Sequence, residues 1–141
     1  MKPLLIPLNL LIPIALVIII LIVLLWILYT KNKEIYNKLA SEKKKFAYYK
    51  QNAESLKESR ETPRKNFQLL NNLARDFFKE YFALDYSFTY LELEEKFREL
   101  EKEDYAKFCK AMSDWNYSGK EIKKENIIQL TSLFQVILNE Y

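Results

Sequence analysis

Between Leu10 and Leu28 the chain carries no charged residue and nothing more polar than Trp26, and lysines begin directly after Tyr29. At ~1.5 Å per residue, a run of about 20 residues makes a helix of roughly 30 Å, the thickness of a bilayer's hydrocarbon core. The run therefore reads as a single N-terminal transmembrane helix, with residues 1–29 as the anchor. A cleaved signal peptide has an apolar core of only about 7–15 residues and a small-residue cleavage site, and Ile27-Leu28-Tyr29 offers no such site. Trp26 and Tyr29 stand at the end of the run, where aromatic rings settle at headgroup level. With Lys31 and Lys33 they mark the membrane interface. Pro13 lies about a turn inside the helix if Asn9 caps it; a helix starting near Leu4 would be kinked there.

Lysine bias sets the orientation of such a helix. The N-terminal flank offers Lys2 and the amino terminus. The other flank has Lys31, Lys33 and Lys38, with Lys43, Lys44 and Lys45 close behind. The larger cluster is expected to stay inside, which places the N-terminus outside and residues 31–141 in the cytoplasm at the cell membrane. The unpaired Cys109 fits a reducing compartment. From Lys31 to Lys57 eight lysines face three glutamates, whereas from Arg64 onward twelve basic residues face fourteen acidic ones. The basic charge is thus concentrated beside the membrane.

Beyond the anchor the chain has one glycine and no histidine, and three of its four prolines lie at or before Pro13. Tight hairpins draw on glycine and asparagine turns, so the composition predicts an all-α fold. Residues 30–61 form a basic amphipathic connector. Ile35, Leu39, Glu42, Phe46, Tyr49, Ala53 and Leu56 alternate steps of four and three, a heptad stripe. A parallel homodimer through this stripe is disfavoured: Lys38, Lys43, Lys45, Lys50 and Lys57 flank it, and Glu42 sits in the seam. The open alternatives are packing on the chain's own C-terminal domain, or a lipid surface, where each lysine near anionic headgroups is worth about 1 kcal/mol.

Residues 62–141 read as a small bundle of about four helices. Thr62 caps a helix with Pro63 at its first position, and Phe67, Leu70, Ala74, Phe77, Phe78, Tyr81 and Phe82 follow helical spacing to about Ala83. After the turn Leu84–Phe88, Thr89 and Glu92 form a capping box that opens a helix presenting Tyr90, Leu93, Phe97 and Leu100. A third stretch, from about Glu103 to Asn116, presents Tyr105, Phe108, Cys109 and Met112. A turn at Tyr117-Ser118-Gly119 leads to the last helix, about Lys120 to Asn139. That helix carries Ile122, Ile127, Leu130, Phe134 and Ile137, with Ile128, Leu133 and Leu138 to one side. Its apolar face is wide, so this helix is either central in the core or partly covered by a partner, with Ile128, Leu133 and Leu138 as the candidate partner face.

The chemistry-bearing residues favour structural roles. Glu92, Glu94, Glu95, Glu99, Glu101, Glu103 and Asp104 could suggest a metal site, but Glu92 with Lys96 and Glu94 with Arg98 have the spacing of a solvated helix face. A di-metal bundle site would use Glu-x-x-His motifs, and the chain has no histidine. Cys109 shares a helical face with Tyr105, Phe108 and Met112 and has no histidine to activate it, which predicts a buried thiol. One glycine excludes a P-loop or dinucleotide fingerprint. The aromatic series from Phe77 to Tyr90 is spaced for a core, and the net acidic domain argues against nucleic acid. No catalytic, cofactor-binding or metal-ligating residue is expected.

The segment from Thr62 to Tyr141 resembles the small helical domain that follows the last membrane helix in prokaryotic Bat-type and transglutaminase-like membrane proteins. The likeness rests on Thr62-Pro63-Arg64, on the Thr89 cap with Glu92 and Leu93, and on Phe108 followed by Tyr117-Ser118-Gly119, all after a membrane helix. The catalytic and adhesion-type domains of those proteins have no counterpart here, so the resemblance implies a helical accessory module without an activity.

The sequence thus predicts a non-enzymatic, single-pass membrane protein that binds a protein partner through the last helix or the lysine connector (Lys38, Lys43, Lys44, Lys45 and Lys50). Two alternatives stay open: a non-catalytic subunit or regulator of a membrane-associated enzyme, and an anionic-lipid-sensing module.

Overall fold

A computed structural model describes residues 6–140. Among them the fold is all-helical: α1 (Leu8–Lys57), α2 (Pro63–Phe82), α3 (Tyr90–Glu99), α4 (Glu103–Tyr117) and α5 (Lys124–Leu138). Lys2, Pro3 and a helix start near Leu4 lie outside the described residues. Pro13 is the sixth residue of α1. Its missing N–H removes one bond, to the Asn9 carbonyl, close to an end where few ladder bonds depend on it.

The chain divides into two compact units, Met1–Lys44 and Lys45–Tyr141, and the division falls inside α1. In the first unit the described side chains are all exposed, including Ile35, Tyr36 and Leu39. In the second, α1 turns from a self-standing helix into a core element. Tyr49, Ala53 and Leu56 are buried there and Phe46 packs against them, in one apolar cluster with α2, α3, α4 and α5.

Two consecutive phenylalanines of α2 organise that core. They lie ~100° apart around the helix, so each faces a different set of neighbours. Phe77 meets Tyr49 of α1 at 5.4 Å and Phe134 of α5 at 5.7 Å, both edge-on. Phe78 meets Phe97 of α3 at 5.0 Å and Phe108 of α4 at 6.2 Å. Phe108 and Phe134, 5.3 Å apart, close the circuit between α4 and α5. Each such ring removes on the order of 150–250 Å² from water, which allows a domain of this size a sufficient core.

The helix ends follow local chemistry. The Thr62 hydroxyl accepts from the Lys65 amide and Pro63 occupies the first turn of α2. Thr89 and Glu92 form the expected capping box at α3, the Glu92 carboxylate accepting from the Thr89 amide at 2.7 Å. Gly119 takes the left-handed conformation at φ 63°, and Ala83 and Glu101 adopt it at other helix ends. Glu101 allows the Lys102 amide to donate to the Phe97 carbonyl at 2.8 Å, the wide turn that commonly ends a helix at a left-handed residue.

One boundary differs from the sequence reading. The last helix begins at Lys124, not near Lys120. The Asn126 side chain accepts from the Lys123 amide at 2.9 Å and so stops the helix from extending backward. Ile122 reaches the core from the preceding connection and not from the helix.

Phe77→Ala should destabilise the domain by about 3–5 kcal/mol, because truncation empties the point where α1, α2 and α5 meet. Leu91→Ala, on a residue 57% exposed, should stay within about 0.5 kcal/mol. Urea unfolding of the detergent-solubilised chain, followed by tryptophan fluorescence, distinguishes the two.

Candidate functional site

The residues singled out from the sequence separate into two groups. Trp26, Tyr29, Lys31, Lys33, Lys38, Lys43 and Lys44 are exposed along the first unit. Lys45 and Lys50 belong to the second unit. Lys50 is exposed, whereas the Lys45 ammonium lies 2.7 Å from Glu80 of α2. Lys45 therefore ties α1 to α2.

Glu80 is the polar centre of that junction. One oxygen pairs with Lys45 and the other accepts from the Tyr49 hydroxyl at 2.7 Å. The Lys45 bond, then the Tyr49 bond, holds the Glu80 carboxyl below the usual carboxylate range. Burial, then Glu80 as acceptor, pushes the Tyr49 phenol up, so the tyrosine remains a donor at any physiological pH. Further along, Gln135 of α5 donates to Glu54 of α1 at 2.5 Å. These bonds fix the register of α1 on the core.

The proposed partner face of the last helix does not hold together. Ile128 is 37% exposed, Leu133 is partly buried against the core, and Leu138 is fully buried. Leu138 is a core residue, because α5 lies in the same cluster as α1, α2 and α4.

The chemistry-bearing residues take structural places. Cys109 is buried, and desolvation first, then Glu94, raises its thiol far above the usual value, so it carries no thiolate. Glu94 pairs with Arg98 at 2.9 Å as expected. Glu92 does not follow the expected i,i+4 pairing: it turns back to the Thr89 cap, while the Lys96 ammonium lies over the Phe88 ring at 4.8 Å. Among the described residues no group of His, Cys, Asp and Glu side chains is placed to hold a metal ion.

Sequence reasoning missed the role of Arg75. Its guanidinium donates to the Phe88 carbonyl at 2.6 Å and lies 4.5 Å from the centre of the Tyr90 ring. The Tyr90 hydroxyl donates to Asn71 at 2.6 Å, and Tyr86 donates to Asp76. Together these α2 side chains pin the 83–89 connection. A cleft of about 820 Å³ opens between the start of α2 and the residues around Gly119, with Phe67, Asn71, Trp115 and Ile122 in its walls and Arg64, Lys120 and Glu121 among its charges.

No protein-family model, curated protein or solved structure matches this chain. Its function is therefore read from its own residues. The surface that stands out is the exposed stretch of α1 from Trp26 to Lys44. It is aromatic, then basic, with Ile35 and Leu39 on the heptad stripe.

Tyr49→Phe keeps the ring and removes the donor to Glu80; it should lower stability by about 1 kcal/mol. Because the folded Glu80 carboxyl is held low, its contribution is complete above the unfolded carboxylate value and is lost as pH falls through the folded one. Stability measured between pH 7 and 3 should therefore fall less steeply in Glu80→Gln than in the unmodified chain.

Proposed function

We propose that this chain is a single-pass membrane protein whose helical domain acts as a non-catalytic interaction module at the cytoplasmic face. One observation carries the reading: α1 contains a window of mean hydropathy 3.4 of which no part is buried within the chain. An apolar helix at the core of a soluble protein would be covered by its own fold. This one is bare through Tyr29, and the same helix then runs on without a break into residues that pack in the domain core. The length of the apolar run and the lack of a small-residue site at Ile27-Leu28-Tyr29 argue against a cleaved signal sequence.

The lysine distribution supports an N-terminus outside and residues 31–141 inside. Trp26 and Tyr29 would sit at the inner interface, with Lys31 and Lys33 against the headgroups. The resemblance of residues 62–141 to the helical module of Bat-type and transglutaminase-like membrane proteins agrees with an accessory role. With Leu138 in the core and Leu133 half covered, the interaction surface is assigned to the basic stretch of α1.

The chain should remain in membranes after alkaline carbonate washing. A reporter fused after Tyr141 that works only in the cytoplasm should be active, and one that works only outside should be silent. Release by carbonate would remove the anchor, and the opposite reporter pattern would invert the topology.

A further inference from the structure

The heptad stripe of α1 is divided between two fates. Phe46, Tyr49, Ala53 and Leu56 are used by the chain's own core, whereas Ile35 and Leu39 remain 56% and 51% exposed. What is left open is a strip of about two heptads, from Lys31 to Lys44. Written as a coiled-coil seam, Asn32 and Leu39 hold a positions and Ile35 and Glu42 hold d positions; Lys31 and Lys38 then take g, and Tyr36 and Lys43 take e.

Charge decides what can cover such a strip. A second copy in parallel would set Lys38 against Lys43 and Glu42 against Glu42. On a helix standing along the bilayer normal, the strip rises away from the lipid. If Tyr29 lies at headgroup level, the rise of ~1.5 Å per residue puts Lys38, Leu39, Lys43 and Lys44 roughly 14–23 Å further along the helix, beyond a Debye length of about 8 Å at physiological salt. Lys31 and Lys33 lie within reach of headgroups; the upper lysines and the two apolar side chains do not.

Building on the anchored reading, we infer that the strip Lys31–Lys44 docks the acidic juxtamembrane helix of a second, different membrane-anchored chain. The partner presents Leu or Ile at its seam positions, Glu or Asp at its e and g positions opposite Lys31, Lys38 and Lys43, an amide opposite Asn32 and a basic or amide side chain opposite Glu42. It is itself anchored, because two heptads are too short to hold a helix pair in free solution, while anchoring in the same bilayer raises the effective concentration to a range where a weak seam suffices.

The test uses the full chain in phosphatidylcholine vesicles, once flotation has shown that it is incorporated. The probes are two designed single-span peptides that share a Leu/Ile seam with one Asn and carry either Glu or Lys at e and g. Energy transfer between a dye on the chain and a dye on the peptide should show about tenfold stronger association with the Glu peptide, from several exposed charge pairs acting together. Lys38→Glu/Lys43→Glu should reverse the preference toward the Lys peptide, while the thermal unfolding of the domain stays unchanged. Equal association of both peptides, or of neither, with incorporated chain overturns the inference. So does quenching of a fluorophore at position 39 by brominated phosphatidylserine, which would place the strip on lipid. A chain that fails to float with the vesicles refutes the anchored reading itself, a separate result.

Discussion

The contact on which this structure depends is the ring cluster that joins the end of α1 to α2. Phe46 and Tyr49 reach the rings of Phe77 and Tyr81, with Phe46 and Tyr81 centred 4.6 Å apart. Without these residues, α2 to α5 would be a short four-helix domain whose central phenylalanine, Phe77, faces water on one side. With them, α1 supplies a wall of the core. Edge-on ring pairs add about 0.5–1.5 kcal/mol each beyond their buried area, and Phe77 makes several. The Glu80 bonds to Lys45 and Tyr49 then set which turn of α1 meets which turn of α2. Hydrophobic contact alone would tolerate a slip along the helix; a paired carboxylate does not.

This arrangement explains why a heptad pattern is no guide to oligomeric state here. The stripe from Ile35 to Leu56 is regular enough to suggest a coiled coil, and its last four members are apolar. Their covering comes from within the chain, which leaves only the charged half of the pattern for anything else. Lysines flank Ile35 and Leu39 on that half.

Much of this was legible because it rests on local rules. The apolar run, the helical periodicities, Thr62 with Pro63, and the Thr89–Glu92 box are all set within a few residues of one another. What was not legible depended on competition between partners. Glu92 had both Lys96 and the Thr89 amide within reach, and the uncapped amide at the helix start was the stronger claimant. The last helix had apolar spacing back to Ile122, but Asn126 could cap from inside and end it at Lys124. The wide apolar face of α5 left two readings open, a central place in the core or a cover by a partner. Its meaning required knowing that α5 shares the core with α1, α2 and α4, so that Leu138 is internal. Arg75 carried no sequence signal, since its partners are a backbone carbonyl and a ring thirteen and fifteen residues away.

Magnitudes show why the first unit cannot be a bystander. From Leu8 to Tyr29 nineteen large apolar side chains are exposed. At ~1–2 kcal/mol for each one kept in water, the unfavourable hydration is on the order of 20–40 kcal/mol. The folding free energy of a small domain is only about 5–15 kcal/mol. No rearrangement of the helical domain could offset that term by folding over the run, since doing so would expose its own core. The run must therefore be covered by a hydrocarbon phase or by an equally apolar surface outside the chain. A helix of ~30 Å that is apolar on all sides is long and apolar enough to cross a bilayer, whereas a single protein groove would contact one stripe and leave the others wet. The domain's stability and the covering of the apolar run are thus separate problems within one continuous helix. The exposed basic turns that follow the run contribute to neither.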